Sequence, residues 1–212
     1  MAEPTDAELL RQWKDGDEDA GNVLVRRHFS TVFRFFRGAL SGNVDDLTQG
    51  TFLACVEAAD RWRGDSPFRA FLLGIARKQL LSHLRKQYRR DKVFDPEAQS
   101  VQHAVESGLG SPSGVIAGRD SERLLLAALR RIPVDFQIAV ELFYWEEMPL
   151  KEIATVLDVA PGTVKSRLGR AREMLRAAMA ELATDPNVAQ ATVENLEHWA
   201  RSLKRKMLGS FD

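Results

Sequence analysis

The stretch from Met148 to Arg176, MPLKEIATVLDVAPGTVKSRLGRAREMLR, constrains the fold more than any other, because it holds two helical patterns separated by residues that neither helix can absorb. Leu150, Ile153, Ala154 and Leu157 recur at helical spacing, and the pattern stops near Asp158. Pro149 suits a first helical turn, where an amide hydrogen would have no partner, while Pro161 and Gly162 reopen the chain before a second run. In that run Val164, Leu168, Ala171 and Leu175 share one face, with Thr163, Lys165, Ser166, Arg167, Arg170 and Arg172 largely elsewhere. Two helices and a short turn form a helix-turn-helix.

The second helix has the chemistry of a DNA groove. Its first turn offers small and hydroxyl-bearing residues that let backbone and side chains approach phosphates and base edges, and its later turns carry arginine. Lys165, Arg167, Arg170, Arg172 and Arg176 face the single acid Glu173, in a chain whose formal net charge is zero. The positive charge is therefore local. The same pattern also describes an amphipathic core helix with a solvated basic face.

With 212 residues, 44% hydrophobic and 28% charged, the chain can bury one core or two small ones. No apolar run approaches the roughly 18 residues of a membrane span, so no membrane insertion is expected. The acidic start MAEPTDAELLRQWKDGDEDA has no positive segment followed by an apolar one, which argues against export. Cys55 is alone, which excludes an internal disulfide and fits a reducing compartment. A cytoplasmic location is the expectation. His28, His83, His103 and His198 are too scattered for a metal site, and no loop ends in the Gly-Lys-Ser/Thr of a phosphate cradle. No metal, cofactor or enzymatic activity is expected.

Ahead of the motif the pattern is helical from Thr5, which can cap, with Asp6 and Glu8 in the first turn and Leu9, Leu10 and Trp13 on one face. Gly16 ends this helix, and Asp17 or Asp19 starts a second to about Leu40 with Ala20, Val23, Leu24, Arg27, Val32, Phe35 and Phe36 in its repeat. A third is predicted from about Asp45 to Arg61, burying Leu47, Phe52, Val56 and Ala59. Asp45 and Asp46 at its start fit a docking patch or simply complement the helix dipole.

After the turn Gly64 to Pro67, where Ser66 reads as a cap and Pro67 as a first-turn proline, a long helix carries Phe68, Phe71, Leu72, Ile75, Leu80 and Leu84. Its other face is basic, with Arg77, Lys78, Arg85, Lys86, Arg89, Arg90 and Lys92 against Asp91. Cations for phosphates beside flat side chains for unstacked bases are what a separated DNA strand needs. Phe68 and Phe71 serve equally well as core filling.

Residues 91–118 change character: Pro96, Gly108, Gly110, Pro112 and Gly114 interrupt any period, and no Lys or Arg stands between Lys92 and Arg119. A flexible linker is expected over 93–118. Beyond it, Leu124, Leu125, Ala128 and Leu129 define a helix stopped by Pro133, and Val134 to Trp145 another with Ile138, Leu142 and Phe143. Both should pack under the helix-turn-helix. After Pro186 a further helical pattern, Val193, Leu196, Ala200, Leu203 and Met207, forms an extension over 184–212 whose plain reading is packing back on the second domain, with binding a regulator or lengthening the DNA contact as the alternatives.

Glu152 to Glu173, above all GTVKSR at 162–167 and RAR at 170–172, resembles the promoter-reading helix-turn-helix of bacterial RNA polymerase sigma factors, especially the small extracytoplasmic-function group. VDDLTQGTFLACVEA, through Asp46, Leu47, Gln49, Phe52 and Leu53, resembles the segment that docks on the polymerase clamp. FRAFLLGIARK with its basic tail resembles the segment that opens and reads the minus-ten element. Gly169, Gly50 and Phe71 depart from the family pattern, standing where a larger residue, an acid and a tryptophan are common.

The resemblance implies an all-α chain of two small helical domains on a flexible linker, the second containing the helix-turn-helix. Residues 1–92 would bind core polymerase and the minus-ten element, and 119–183 the minus-thirty-five element. It implies core polymerase contacts by Asp45, Asp46, Leu47, Gln49, Phe52 and Leu53. Minus-ten contacts would come from Arg61, Trp62, Arg63, Ser66, Phe68, Arg69, Phe71, Arg77 and Lys78, and minus-thirty-five contacts from Pro161, Gly162, Thr163, Lys165, Ser166, Arg167 and Arg170. Core RNA polymerase and promoter DNA are the implied partners, and the family admits an anti-sigma protein as a third. The rival is a stand-alone helix-turn-helix repressor or activator, which explains 148–176 but leaves 45–90 without a role.

Overall fold

Capping chemistry sets where the first two helices start. The computed structural model describes residues 3–40, 42–94 and 120–182. Helix α1 (Asp6–Lys14) opens on a capping box in which the Glu8 amide donates to the Thr5 hydroxyl and the Glu8 carboxylate accepts from the Thr5 amide. Helix α2 (Glu18–Ala39) opens on Asp17, whose carboxylate accepts from the Ala20 amide at 3.0 Å. The reversal between them falls at Gly16, whose φ of +101° only glycine adopts without strain.

α1 and α2 pack closely because Gly21 has no side chain: a Cβ there would lie 2.6 Å from the Trp13 ring. Gly21→Ala should therefore destabilise the fold by about 1–3 kcal/mol through overpacking. Urea denaturation checks this, and an unchanged midpoint would mean that Trp13 swings aside at no cost. Leu24, Val32, Phe35 and Phe36 face the core as expected, but Val23 is 44% exposed and does not belong to the buried repeat. His28 is buried as well, with Nε2 2.9 Å from the Asp6 carboxylate. Burial holds its pKa below the ordinary value against the opposing pull of Asp6.

Helix α3 (Val44–Glu57) is shorter than its pattern, and a 3-10 turn (Ala59–Arg61) follows it. Its buried face also differs. Thr48, Thr51, Phe52 and Cys55 point inward, while Leu47, Val56 and Ala59 are only partly covered. Two threonines can be buried here because their hydroxyls donate to the carbonyls one turn back, Thr48 to Val44 at 2.8 Å and Thr51 to Leu47 at 2.7 Å. Burial pushes the Cys55 thiol up to about 12, so it is an inert packing group.

Helix α4 (Phe68–Phe94) runs two residues past the predicted domain end at 92. Pro67 precedes its first turn and does not lie within it, since the Pro67 carbonyl accepts from the amides of Ala70 and Phe71. The rest of the expected linker, 95–118, and the extension at 184–212 lie outside the described residues.

The second half contains α5 (Asp120–Leu129), α6 (Val134–Val140), α7 (Leu150–Leu157) and α8 (Pro161–Leu182). The pattern Val134 to Trp145 is not one α-helix, because a π-helical turn (Glu141–Trp145) follows α6. The Glu146 amide reaches back five residues to the Glu141 carbonyl, and the Met148 amide six to that of Leu142. This wider turn lets Glu141, Leu142, Tyr144 and Trp145 all lie buried.

One hydrophobic cluster runs without a break from α1–α4 into Ile138, Leu142, Ile153, Leu157, Val164 and Leu168 of the second half. A second joins Leu125, Ala128, Val140, Tyr144, Leu175 and Met179 under α5 and the later turns of α8. The two regions are thus packed on one another, with α7 against α4. The reason lies in α7, where Val156 is buried in addition to the stripe Ile153, Ala154 and Leu157. The apolar face is thereby too wide for one neighbour to cover. Among the described residues every regular element is helical.

Candidate nucleic-acid interface

The stretch from Met148 to Arg176 is built as two helices at a sharp corner. Asp158 closes α7 in the left-handed conformation, with φ 54° and ψ 52°, and its amide donates to Ala154 and Thr155. Val159 and Ala160 complete the turn, and Pro161 is the first residue of α8. Val164, Leu168, Ala171 and Leu175 are all buried, so the opposite face of α8 is fixed outward by packing.

That outward face presents Pro161, Gly162, Thr163, Lys165, Ser166 and Arg170 to solvent. The Ser166 hydroxyl donates to the Thr163 carbonyl at 2.9 Å, which leaves its lone pairs and the Thr163 side chain outward-facing. Arg167 is half-buried, and one of its guanidinium nitrogens is buried with no hydrogen-bond partner among the described residues. Arg172 is spent internally: its Nε donates to the Tyr144 hydroxyl at 2.7 Å and its guanidinium lies over that ring, tying α8 to the π turn. Gly169 has open space around its Cα, so its lack of a side chain answers no close contact within the chain.

On α3 the side chains assigned to docking divide. Asp45, Asp46 and Gln49 are exposed, and Leu53, 58% exposed, extends the strip at helical steps. Leu47 is half-covered and Phe52, 4% exposed, faces the core, so Phe52 holds the strip in place from beneath.

The loop before α4 gathers three rings. Trp62 and Phe71 lie nearly parallel with centroids 6.0 Å apart, Phe68 meets Trp62 edge-on at 5.2 Å, and the Trp62 indole donates to the Ser66 carbonyl at 3.0 Å. Phe68 is 3% exposed and is core; Trp62 and Phe71 are half-buried and form the outer pair. Phe68→Ala should therefore cost about 3–5 kcal/mol of stability. Trp62→Ala should cost less stability and weaken single-strand binding by about 1–3 kcal/mol. Thermal melting and anisotropy with a labelled single strand separate them, and equal stability losses would refute the division.

Arg61, Arg63 and Lys78 are exposed, whereas Arg69 and Arg77 are not free. Arg69 pairs with Glu152 at 3.2 Å and Arg77 with Asp135 at 2.9 Å, both carboxylates of the second half. Arg34 meets Glu146 through Nε and Nη2 at 3.0–3.2 Å. Nearby Glu141 is buried, with one carboxylate oxygen unpartnered among the described residues, and burial together with the adjacent Glu146 charge pushes its pKa well above the ordinary value. Sequence reading misses this set because its partners lie 58 to 112 residues apart and no local pattern connects them.

The fold and this exposed basic helix define an all-helical helix-turn-helix protein. Residues 24–90 match the Sigma-70 region 2 family and residues 122–175 the Sigma-70, region 4 family. The chain is 30% identical over 176 residues to an ECF RNA polymerase sigma-E factor of Escherichia coli, covering 81% of this chain and 92% of the relative. It is 30% identical over 181 residues to one of Haemophilus influenzae, covering 82% and 96%. Among solved structures, CnrH in complex with the cytosolic domain of CnrY is 28% identical, with a TM-score of 0.56 over 84% of this chain and 99% of that one. RpoE of Bartonella quintana, solved with the anti-sigma factor NepR, shares the fold at 22% identity and a TM-score of 0.56, covering 73% and 93%. The chain belongs to the extracytoplasmic-function group of the sigma-70 family.

Proposed function

We propose that this chain is a dissociable specificity subunit that binds core RNA polymerase and directs initiation at a set of promoters. The observation that carries the reading is α8: its apolar face is locked inward while Thr163, Lys165, Ser166 and Arg170 stand outward on the first turns, the part of a recognition helix that enters a major groove. Pro161 and Gly162 open that helix, and Arg167 adds a guanidinium with unspent donors. These residues read the minus-thirty-five element, the arginines taking base edges or phosphates and Lys165 a phosphate.

Residues 1–92 form the other half of the machine and 119–183 the half just described. Asp45, Asp46, Gln49 and Leu53 dock on the polymerase, backed by Leu47 and Phe52. Arg61, Trp62, Arg63, Ser66, Phe71 and Lys78 take the melted minus-ten strand with Arg69 and Arg77, over Phe68. The chain performs no bond chemistry of its own and acts in the cytoplasm. Among the described residues no helix is long and apolar enough to cross a membrane. An anti-sigma protein is a further partner of this reading. A zero net charge suits a factor that must not coat DNA by itself, since non-specific affinity grows with each phosphate neutralised.

Co-elution with purified core polymerase tests the docking strip. Asp46→Arg, on an exposed first-turn position, should leave helicity unchanged and weaken association at least tenfold, as expected for a charge reversal within an interface anchor. Wild-type affinity in that variant would remove α3 from the interface. The repressor alternative has no observation in its favour, because it gives the exposed strip of α3 nothing to do.

A further inference from the structure

The guanidinium of Arg172 is held from one side only. Its Nε donates to the Tyr144 hydroxyl at 2.7 Å, and its central carbon lies 5.8 Å from the centre of the Tyr144 ring. This contact uses one of the five N–H donors of an arginine. The donors on Nη1 and Nη2 have no hydrogen-bond partner among the described residues, at a position exposed to solvent. Tyr144 is a fixed anchor, because it is 6% exposed and shares the second hydrophobic cluster with Val140, Leu175 and Met179. An arginine pinned at Nε to a buried phenol holds its far end in one plane. That end, two Nη groups side by side, is the fork that takes two oxygens of one phosphate.

Its place on α8 says where such a phosphate would come from. Lys165, Gly169, Arg172 and Arg176 follow one another at steps of four, three and four residues, which sets them along one flank of the helix. The flank lies between the buried face of Leu168 and Leu175 and the outward face of Ser166 and Arg170. Lys165 and Arg172 are two turns apart, about 10 Å along the axis. Between them Gly169 has no side chain, and a Cβ there would meet nothing within 4 Å, so a sugar-phosphate strand can come down to the helix backbone. A helix lying in the major groove has base edges in front of it and a ridge of phosphates along its flanks. Lys165 stands at the near end of that ridge and Arg172 where it continues.

We propose that Arg172 is a second backbone contact of α8: Tyr144 holds it so that Nη1 and Nη2 grip one phosphate of the duplex, beyond the one met by Lys165. This rests on the reading of α8 as the helix that enters the major groove. Tyr144 is then a positioning residue, which touches no DNA and sets the fork before DNA arrives, so less side-chain freedom is lost on binding. The fork reads no base. It fixes the register and angle at which the first turns of α8 meet the bases.

Salt dependence tests this, because each neutralised phosphate adds about 0.9 to the slope of log affinity against log salt, whereas a tie within the protein adds nothing. The full chain is titrated into a fluorescein-labelled DNA duplex of mixed sequence at several potassium chloride concentrations, and binding is followed by anisotropy. Arg172→Gln should lower the slope by about 0.9 and weaken binding roughly tenfold at low salt. Arg172→Lys keeps the charge and loses the fork, so the slope should stay and binding should weaken by roughly threefold or more. Tyr144→Phe keeps the ring and removes the pin, with the same expectation as Arg172→Lys. Circular dichroism is recorded for each. Should Arg172→Gln lose its helical signal, Arg172→Met, which keeps the length of the side chain, is read in its place.

A wild-type slope in Arg172→Gln would overturn the proposal and leave this arginine as a tie between α8 and the π turn. Wild-type affinity in Arg172→Lys or in Tyr144→Phe would overturn it as well, since neither the fork nor its pin would then matter. Lys165→Ala separates the proposal from the reading beneath it. If Lys165→Ala lowers the slope and Arg172→Gln does not, the fork fails and the major-groove reading stands. If neither lowers it, the major-groove reading fails and the fork with it.

Discussion

Ile153→Ala is expected to lower the stability of the chain by about 2–5 kcal/mol, the cost of emptying a fully buried aliphatic site that the surroundings only partly refill. Ile153 belongs to α7, the helix that packs on α4 and turns through Asp158 into α8. The loss is a large share of the roughly 5–15 kcal/mol that holds a typical domain. At about 2–4 °C per kcal/mol for a chain of this size, the melting midpoint should fall by a clearly measurable interval. Val23→Ala, at a 44% exposed position of α2, is the control and should stay within about 0.5 kcal/mol of wild type. Because α7 belongs to the shared core, thermal melting should show one transition carrying both halves. A variant in which α5 and α8 melt alone while α1–α4 remain intact would contradict that shared core.

Arg167→Ala should reduce promoter-directed initiation by roughly 5- to 150-fold, corresponding to about 1–3 kcal/mol for one bidentate base contact, and should relax the preference at a single base pair. Arg167 is the half-buried arginine of α8, one of whose guanidinium nitrogens has no hydrogen-bond partner among the described residues. Lys165→Ala is the contrast: a fully outward lysine that neutralises a phosphate should weaken all promoters alike and lower the salt dependence. Transcription across single-base promoter variants checks both. Equal loss on every variant for Arg167→Ala would reassign it to the phosphate backbone.

What could be read from the sequence was local. The helix-turn-helix was legible because Val164, Leu168, Ala171 and Leu175 repeat on one face and Pro161 marks a helix start, and all four are buried. Thr5 and Asp17 announced their helices because capping depends on residues two or three apart. The inward face of α3 was misassigned because threonine reads as polar. Its hydroxyl, though, satisfies itself on the preceding turn, and Thr48 and Thr51 then behave as core residues. The π turn was missed because Glu141 to Trp145 keeps helical periodicity in sequence while changing its hydrogen-bond register.

The contact between the halves was illegible for a different reason. Arg69 and Arg77 looked like strand-binding cations because the sequence shows their charge but not their distance to Glu152 and Asp135. Only the fold brings those carboxylates 58 and 83 residues away into hydrogen-bonding range. Phe68 and Phe71 divided similarly: three-residue spacing put both near one helix face, and only packing shows Phe68 inside and Phe71 beside Trp62.

Initiation in a purified system tests the account at its centre. Core polymerase lacking any other specificity subunit is mixed with the chain and a library of promoter fragments, and the RNA ends are sequenced. Starts should appear only when the chain is present, at fragments sharing two elements, and Arg167→Ala should scramble the upstream one. A core enzyme that neither retains the chain nor starts RNA from any member of the library would contradict it.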